Sequence, residues 1–319
     1  MSEAPRIGCI GELLVEFVRT DKNSRHRSVG GYTGPFPSGA PGIFIDAAAR
    51  AGGDCIFVGA VGDDAFGYVV LDRLAADGVD TQLIEIVPGV PTGSAFVSYN
   101  DDGSRDFVFN VALSAAAQFA ADADTLAALD AFGLDVMHVS GSALGDPEMR
   151  EHVLAVCKAL HAGGVKISFD PNIRKELIGD PAYFDAVRAL MDVSAIFLPS
   201  EADAAELFPG EALAEFAPKL LSGAADYVVL KQGAQGCAAI SRSGETVSLA
   251  AHKVEALDPT GAGDCFCGVF VTLITSGGFS FSAALERANA AGALAVTKIG
   301  PMEGASQLAD IEAFLAARG

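Results

Sequence analysis

The sequence predicts an α/β fold with a mostly parallel central sheet, helices on both of its faces and a small β-sheet lid. Three observations carry this expectation. Short apolar runs alternate with amphipathic stretches over nearly all 319 residues. The runs have the continuous apolar character of strands buried on both faces, which parallel sheets require. Half of the residues are hydrophobic and 19% are charged, enough to bury a sizeable core.

In chain order, strands are predicted at residues 6–10, 55–60, 136–140, 166–170, 195–198 and 227–230. Helices are predicted between them at 41–51, 66–77, 147–162, 181–193 and 212–221. In such folds ligands sit at the carboxyl ends of the strands. Two segments break the rhythm. Residues 13–34 pass from an alternating strand into a polar, glycine-rich stretch. Residues 94–110 read as a hairpin: Ser-Ala-Phe-Val-Ser-Tyr, the turn Asn100-Asp-Asp-Gly103, then Arg-Asp-Phe-Val-Phe. These segments predict a small sheet over the mouth of the main site, an ordinary edge hairpin being the alternative. With no repeat or low-complexity stretch, residues 1–319 read as one domain with a lid.

A formal net charge of −20 argues against nucleic acid, whose phosphates would be repelled. The start, Met1-Ser-Glu-Ala-Pro-Arg6, lacks the apolar core of a signal peptide, and no apolar run reaches membrane-spanning length. Cysteines at 9, 55, 157, 237, 265 and 267 lack the paired spacing of a zinc site. Reduced thiols and a cytoplasmic location are the expectation.

The chemistry is concentrated in Asp258-Pro-Thr-Gly-Ala-Gly-Asp264, which leads into an apolar helix. Small residues at a helix start let backbone N–H groups approach an anion, and the helix dipole favours negative charge there. Gly261, Ala262 and Gly263 thus form a candidate anion hole, and Asp264 is placed to accept a proton from a substrate hydroxyl. The plainer reading is an N-cap aspartate after a glycine turn. No Gly-Lys dipeptide occurs, which excludes a Walker A loop, and Phe266 stands where a dinucleotide fingerprint needs its third glycine.

Asp-Pro-Thr-Gly-Ala-Gly-Asp-Cys-Phe resembles the carboxy-terminal signature of the ribokinase-like, or PfkB, sugar kinases. Further motifs follow in the family's order: Gly11-Glu-Leu-Leu-Val-Glu-Phe17, Phe36-Pro-Ser-Gly-Ala-Pro41, Gly59-Ala-Val-Gly-Asp-Asp-Ala-Phe-Gly67, Phe169-Asp-Pro-Asn-Ile-Arg174 and Val228-Val-Leu-Lys-Gln-Gly-Ala-Gln-Gly236. The resemblance covers essentially the whole chain and implies a ribokinase-like three-layer α/β/α sandwich. It further implies an ATP-dependent kinase in which Asp264 is the base and the Gly261–Gly263 amides stabilise the phosphoryl group.

By the same resemblance Glu16, Gly39, Asn110, Asn172 and Arg174 contact the sugar, although a surface salt bridge is the alternative for Arg174. Lys231, Gly233, Gly236 and Asn289 fall on the ATP side, Asn289 having a solvent-facing helix position as its alternative. Mg2+ is expected with ATP, with Asp203 acting through water. A monovalent cation such as K+ would draw on Asp258 and the 296–301 loop. Related kinases dimerise through their lids, which implies a homodimer.

Two positions depart from the family pattern. Ile43 replaces a substrate-binding asparagine, and Ser200-Glu-Ala-Asp203 replaces Asn-x-x-Glu. They motivate a second reading, a non-catalytic sugar-binding regulator on a kinase fold. Val111 stands where acid-sugar kinases place an arginine, which disfavours 2-keto-3-deoxygluconate and favours a neutral sugar. The pattern points to a ketohexose of the tagatose or fructose type. Nucleosides are disfavoured because no aromatic cluster is evident near the lid.

Overall fold

The computed structural model describes residues 3–101, 104–119, 121–178 and 180–318. Its strands are β1 Arg6–Ile10, β2 Leu14–Arg19, β3 Tyr32–Ser38, β4 Asp54–Gly62, β5 Val79–Asp80, β6 Ile84–Val87 and β7 Gly93–Tyr99. There follow β8 Arg105–Asn110, β9 Val136–Ser140, β10 Lys166–Asp170, β11 Ser194–Phe197, β12 Tyr227–Lys231, β13 Cys237–Ser241 and β14 Thr246–Leu249.

The main sheet runs β14-β13-β12-β11-β10-β9-β1-β4-β5, with β6 also pairing with β4. Every pairing from β5 to β12 is parallel. The chain leaves β1 toward β4 on one side and later fills β9 to β12 on the other. That reversal opens a crevice beyond the carboxyl ends of β1 and β9, where doubly wound sheets bind ligands. Glu12 follows β1, Ser142 follows β9, Asp170 ends β10 and Lys231 ends β12.

Helices cover both faces, each with its own apolar cluster. On one side lie Ala40–Arg50, Ala65–Ala76, Ala262–Thr275, Phe281–Ala295 and Leu308–Ala316, packed through Phe44, Leu74, Phe270 and Leu285. On the other lie Ala123–Phe132, Pro147–Ala162, Ala182–Val193, Glu201–Leu207 and Leu213–Leu221, packed through Leu129, Val153, Tyr183 and Phe216. Caps set several starts: Asp64, Asp122 and Asp146 each accept N–H groups from the first turn that follows. No helix of the described residues is long and apolar enough to cross a membrane.

A second sheet, ordered β3-β2-β7-β8, is joined to β1 by the three residues between Ile10 and Leu14 and so lies over the crevice. Only its β2–β7 pairing is parallel. This separate sheet replaces the edge hairpin that the sequence left open. Asp102 and Gly103 of the anticipated turn lie outside the described residues, as do Met1 and Ser2. Strand β8 alternates as the sequence suggested, with Arg105, Phe107 and Phe109 partly buried and Asp106, Val108 and Asn110 exposed.

Candidate active site

The crevice and lid enclose a cleft of about 1270 Å³. A pocket for one small ligand occupies roughly 300–1,000 Å³, so this volume suits two substrates lying end to end. The helix Ala262–Thr275 points its amino terminus into it. Gly261 caps that helix at φ 80° without any side-chain cap, so the first-turn amides stay free for an incoming anion. A side chain at Gly261 would collide with the Pro301 carbonyl oxygen. Only glycine combines this backbone with that approach.

Asp264 sits in the first turn, partly exposed to the cleft, and Asn172 Nδ2 lies 3.4 Å from its Oδ1. Burial, reinforced by the charge of Asp170, pushes the Asp264 carboxyl up to about 6, while Lys231 and Arg174 oppose the shift. A carboxylate in this range is ionised at neutral pH yet can accept a proton readily. Asn172 is held at φ 36°, its Nδ2 donating to Ser140 Oγ at 3.1 Å and its N–H to Asp170 Oδ1 at 3.2 Å.

Two buried carboxyls line the same cleft. Glu16 on β2 is 3% exposed and Glu12 after β1 is 5% exposed, and each keeps one oxygen without a partner. Burial and the field of Asp258 push Glu16 up to about 8. Burial pushes Glu12 up to about 7. Bare carboxyl oxygens in a cavity want donors, and vicinal sugar hydroxyls are donors of the right size. Glu12 stands beside Gly11 in the first motif, and no sequence signal distinguishes it as a site residue. Gly39 lines the same pocket, and a side chain there would strike the Glu12 carbonyl.

Several predicted residues take unexpected positions. Asn110 is exposed on the outward-alternating face of β8, its Nδ2 3.5 Å from Ser94 Oγ, while its neighbours Phe109 and Val111 line the cleft. Asn110→Ala is therefore expected to leave the sugar KM within about twofold of wild type, by steady-state kinetics. Lys231 lines the cleft, but its ammonium is buried against Asp170 and lies 3.4 Å from Cys267 Sγ. Arg174 lines the cleft, and among the described residues it forms no ion pair, unlike the salt-bridge alternative.

Asp203, 3% exposed, accepts Ile173 N at 2.8 Å, Ser200 N at 2.8 Å and Ser200 Oγ at 2.6 Å. With both oxygens engaged it fits a metal only through water. Among the described residues no cluster of three or more His, Cys, Asp or Glu side chains is placed to hold a metal. Asp258 lies behind the wall, 1% exposed, accepting Tyr99 Oη, Thr260 N and Gly300 N. Among the described residues its Oδ2 takes only Gly300 N, leaving capacity for a cation.

At the other end of the cleft Gly233, Gly236, residues 251–254 and Asn289 form the wall. A side chain on Gly236 would overlap the Leu249 carbonyl, so the turn needs glycine. Asn289 Nδ2 donates to the Ala250 carbonyl at 2.8 Å, fixing that wall rather than facing solvent. Ile43, 2% exposed, packs beneath Gly261 and beside Met302, so this departure supports the anion hole from behind.

The lid holds two further surprises. Phe107 and Phe109 stack at 5.2 Å and line the cleft, so an aromatic pair is present after all. Arg105 lines the cleft beside them and acts on Glu16, so Val111 does not leave the lid without a cation.

A free helix terminus for an anion, a carboxylate beside it and a polyol-sized acidic pocket opposite define a phosphoryl-transfer enzyme acting on a hydroxyl compound. Residues 4–308 match the pfkB family of carbohydrate kinases, and the chain belongs to that family. A fructokinase from Vibrio alginolyticus is 30% identical over 279 residues, 83% of this chain and 87% of its own. A protein described as a ribokinase II from E. coli, solved with ATP and Mg2+, is 39% identical. It superposes with a TM-score of 0.90 over 98% of this chain and 99% of its own. A fructokinase double mutant from Vibrio cholerae, solved with fructose, ADP and potassium ion, is 25% identical with a TM-score of 0.84 over 99% of each chain.

Proposed function

We propose that this carbohydrate kinase transfers the γ-phosphoryl group of ATP to a hydroxyl of a ketohexose of the fructose or tagatose type. The observation that carries the reading is Asp264 at the open helix terminus, in one cleft with Glu12 and Glu16, each of which keeps a bare carboxyl oxygen. In this reading the two glutamates and Gly39 hold the sugar, with Asn172 and Arg174 closing its reactive end. Asp264 accepts the hydroxyl proton as the oxygen–phosphorus bond forms and the bond to ADP breaks. The Gly261–Gly263 amides receive the charge spreading over the phosphoryl oxygens. Lys231 steadies Asp170 beneath them instead of touching the nucleotide, and Gly233, Gly236 and Asn289 shape the ATP wall.

Magnesium bound to ATP would supply the remaining charge neutralisation, with Asp203 as a partner through water. K+ would sit behind the anion hole at Asp258 Oδ2 with carbonyls of residues 296–301. Fructokinases among the relatives, one of them solved with fructose, ADP and potassium ion, support the ketohexose and the cation. We read residues 1–319 as one catalytic domain with lid segments at 13–34 and 94–110. The exposed Val108 on β8 supports a homodimer through that sheet. Six unpaired, buried cysteines support a cytoplasmic location.

The test is an ATP-coupled assay against ketohexoses, aldoses, 2-keto-3-deoxygluconate and nucleosides. A ketohexose is expected to give the highest kcat/KM. Preference for the sugar acid would assign Arg105 to a carboxylate, and preference for a nucleoside would assign the Phe107–Phe109 pair to a base. No turnover with any acceptor would favour the regulator.

A further inference from the structure

We infer that Tyr99 is a positioning residue that locks the lid to the anion-hole loop, so that sugar pocket and phosphoryl-transfer site are set as one unit. The inference rests on the kinase reading above and concerns a residue to which that reading gives no role.

Tyr99 is the last residue of β7, in the lid, and its phenol reaches 159 positions along the chain to Asp258. The donor count fixes the direction of the network. Its single O–H goes to Asp258 Oδ1, so the 2.6 Å contact with Thr260 Oγ1 must be donated by the threonine. Thr260 O–H, Tyr99 O–H and the Asp258 carboxylate therefore form one chain of hydrogen bonds, in which each link polarises the next.

Both ends of that chain shape the site. Asp258 also accepts Thr260 N at 2.9 Å and Gly300 N at 2.9 Å, joining the 258–260 turn to the loop that carries Pro301. Gly261, which opens the anion hole, is the next residue after Thr260 and lies against the Pro301 carbonyl. On the lid side, β7 pairs in parallel with β2, placing Ala95 opposite Glu16. Glu16 lies on β2, the neighbour of β7, and β7 ends at Tyr99, whose hydroxyl reaches Asp258 directly. A sugar that orders β2 and β7 through Glu16 thus orders Tyr99, and Tyr99 holds the turn before Gly261.

Tyr99→Phe removes only the hydroxyl and keeps the ring, which makes it the test. In steady-state kinetics with the best acceptor, kcat is expected to fall about tenfold while KM for ATP stays within about twofold. The stimulation of ATP turnover by sugar over its sugar-free hydrolysis should fall with it. Thr260→Val should give a similar loss, and the double variant no more than the worse single, because the two hydroxyls act as one unit. Independent, multiplying losses or an unchanged kcat would overturn the inference. Hydrogen exchange supplies a readout that needs no turnover. Tyr99→Phe should speed exchange at the Thr260 and Gly300 amides, and unchanged exchange there overturns the coupling even if no sugar is a substrate. A wild type without sugar turnover would instead count against the kinase reading, so the two failures are distinct.

Discussion

Asp264→Asn is expected to lower sugar phosphorylation about a thousandfold while ATP binding is retained. The side chain keeps its shape and its contact with Asn172 Nδ2 can be replaced, but it no longer accepts the hydroxyl proton. Wild-type kcat should rise with pH through about 6, where Asp264 ionises, and then level off. The residual rate of the variant should lack that limb. The stability effect has the opposite sign. Burial raises this carboxyl above its unfolded value, so its favourable contribution is present at low pH and is lost as pH rises through about 6. The neutral amide avoids that loss, so the variant should melt no lower than wild type near pH 8. Inactivity together with a lowered melting temperature would point to misfolding instead. Turnover at the wild-type rate would remove Asp264 as the base.

How much of this was legible depended on whether position along the chain or position in space carried the information. The 166–170 and 136–140 strands and the 147–162 helix were readable because short, largely apolar runs, an aspartate cap and a proline at the first turn are local signals. The helices Glu201–Leu207 and Phe281–Ala295 and the antiparallel pair β13–β14 were not predicted. The first is short, the second is alanine-rich with a weak apolar stripe, and the hairpin sits at a sheet edge where burial hardly constrains its pattern. Asp264 and the glycines before it were legible as a motif.

Glu12 became visible as a site residue only when its oxygen proved buried and unpartnered. For Asn110, a place on the hairpin says nothing of which face the side chain occupies. The strand's period of two decides that, and it gives the cleft to Arg105, Phe107 and Phe109. Tyr99 and Asp258 are neighbours only through the fold, and no spacing announces them. Lys231 showed the same limit: its motif suggested the nucleotide, whereas its buried partner is Asp170.

That partnership gives the second large effect, Lys231→Met. The pair is shielded, with side-chain exposures of 12% for Lys231 and 2% for Asp170, so it belongs with buried ion pairs rather than with weak surface ones. Burial works against the ammonium, and the Asp170 carboxylate beside it more than offsets this, holding Lys231 above its ordinary range. Asp170 is itself raised, chiefly by burial and by the charge of Asp203, with Lys231 pulling it down. Removing the lysine leaves a buried carboxylate without its counter-charge, which should cost about 3–5 kcal/mol in denaturant unfolding near neutral pH.

The pH dependence follows from the same charges. Without Lys231 the folded-state pKa of Asp170 rises further above its unfolded value. Its contribution is then favourable at low pH and is lost as pH rises through the raised value, so the deficit should shrink as the solution is acidified toward about pH 5. Adding Asp170→Asn to Lys231→Met should recover most of the stability at neutral pH, because no charge is then left buried alone. Full turnover should not return, since the lost ammonium lay 3.6 Å from where a Gly263 side chain would begin, beneath the anion hole. A deficit under about 1 kcal/mol, or one unchanged by acid, would show that Lys231 and Asp170 meet as a solvated pair.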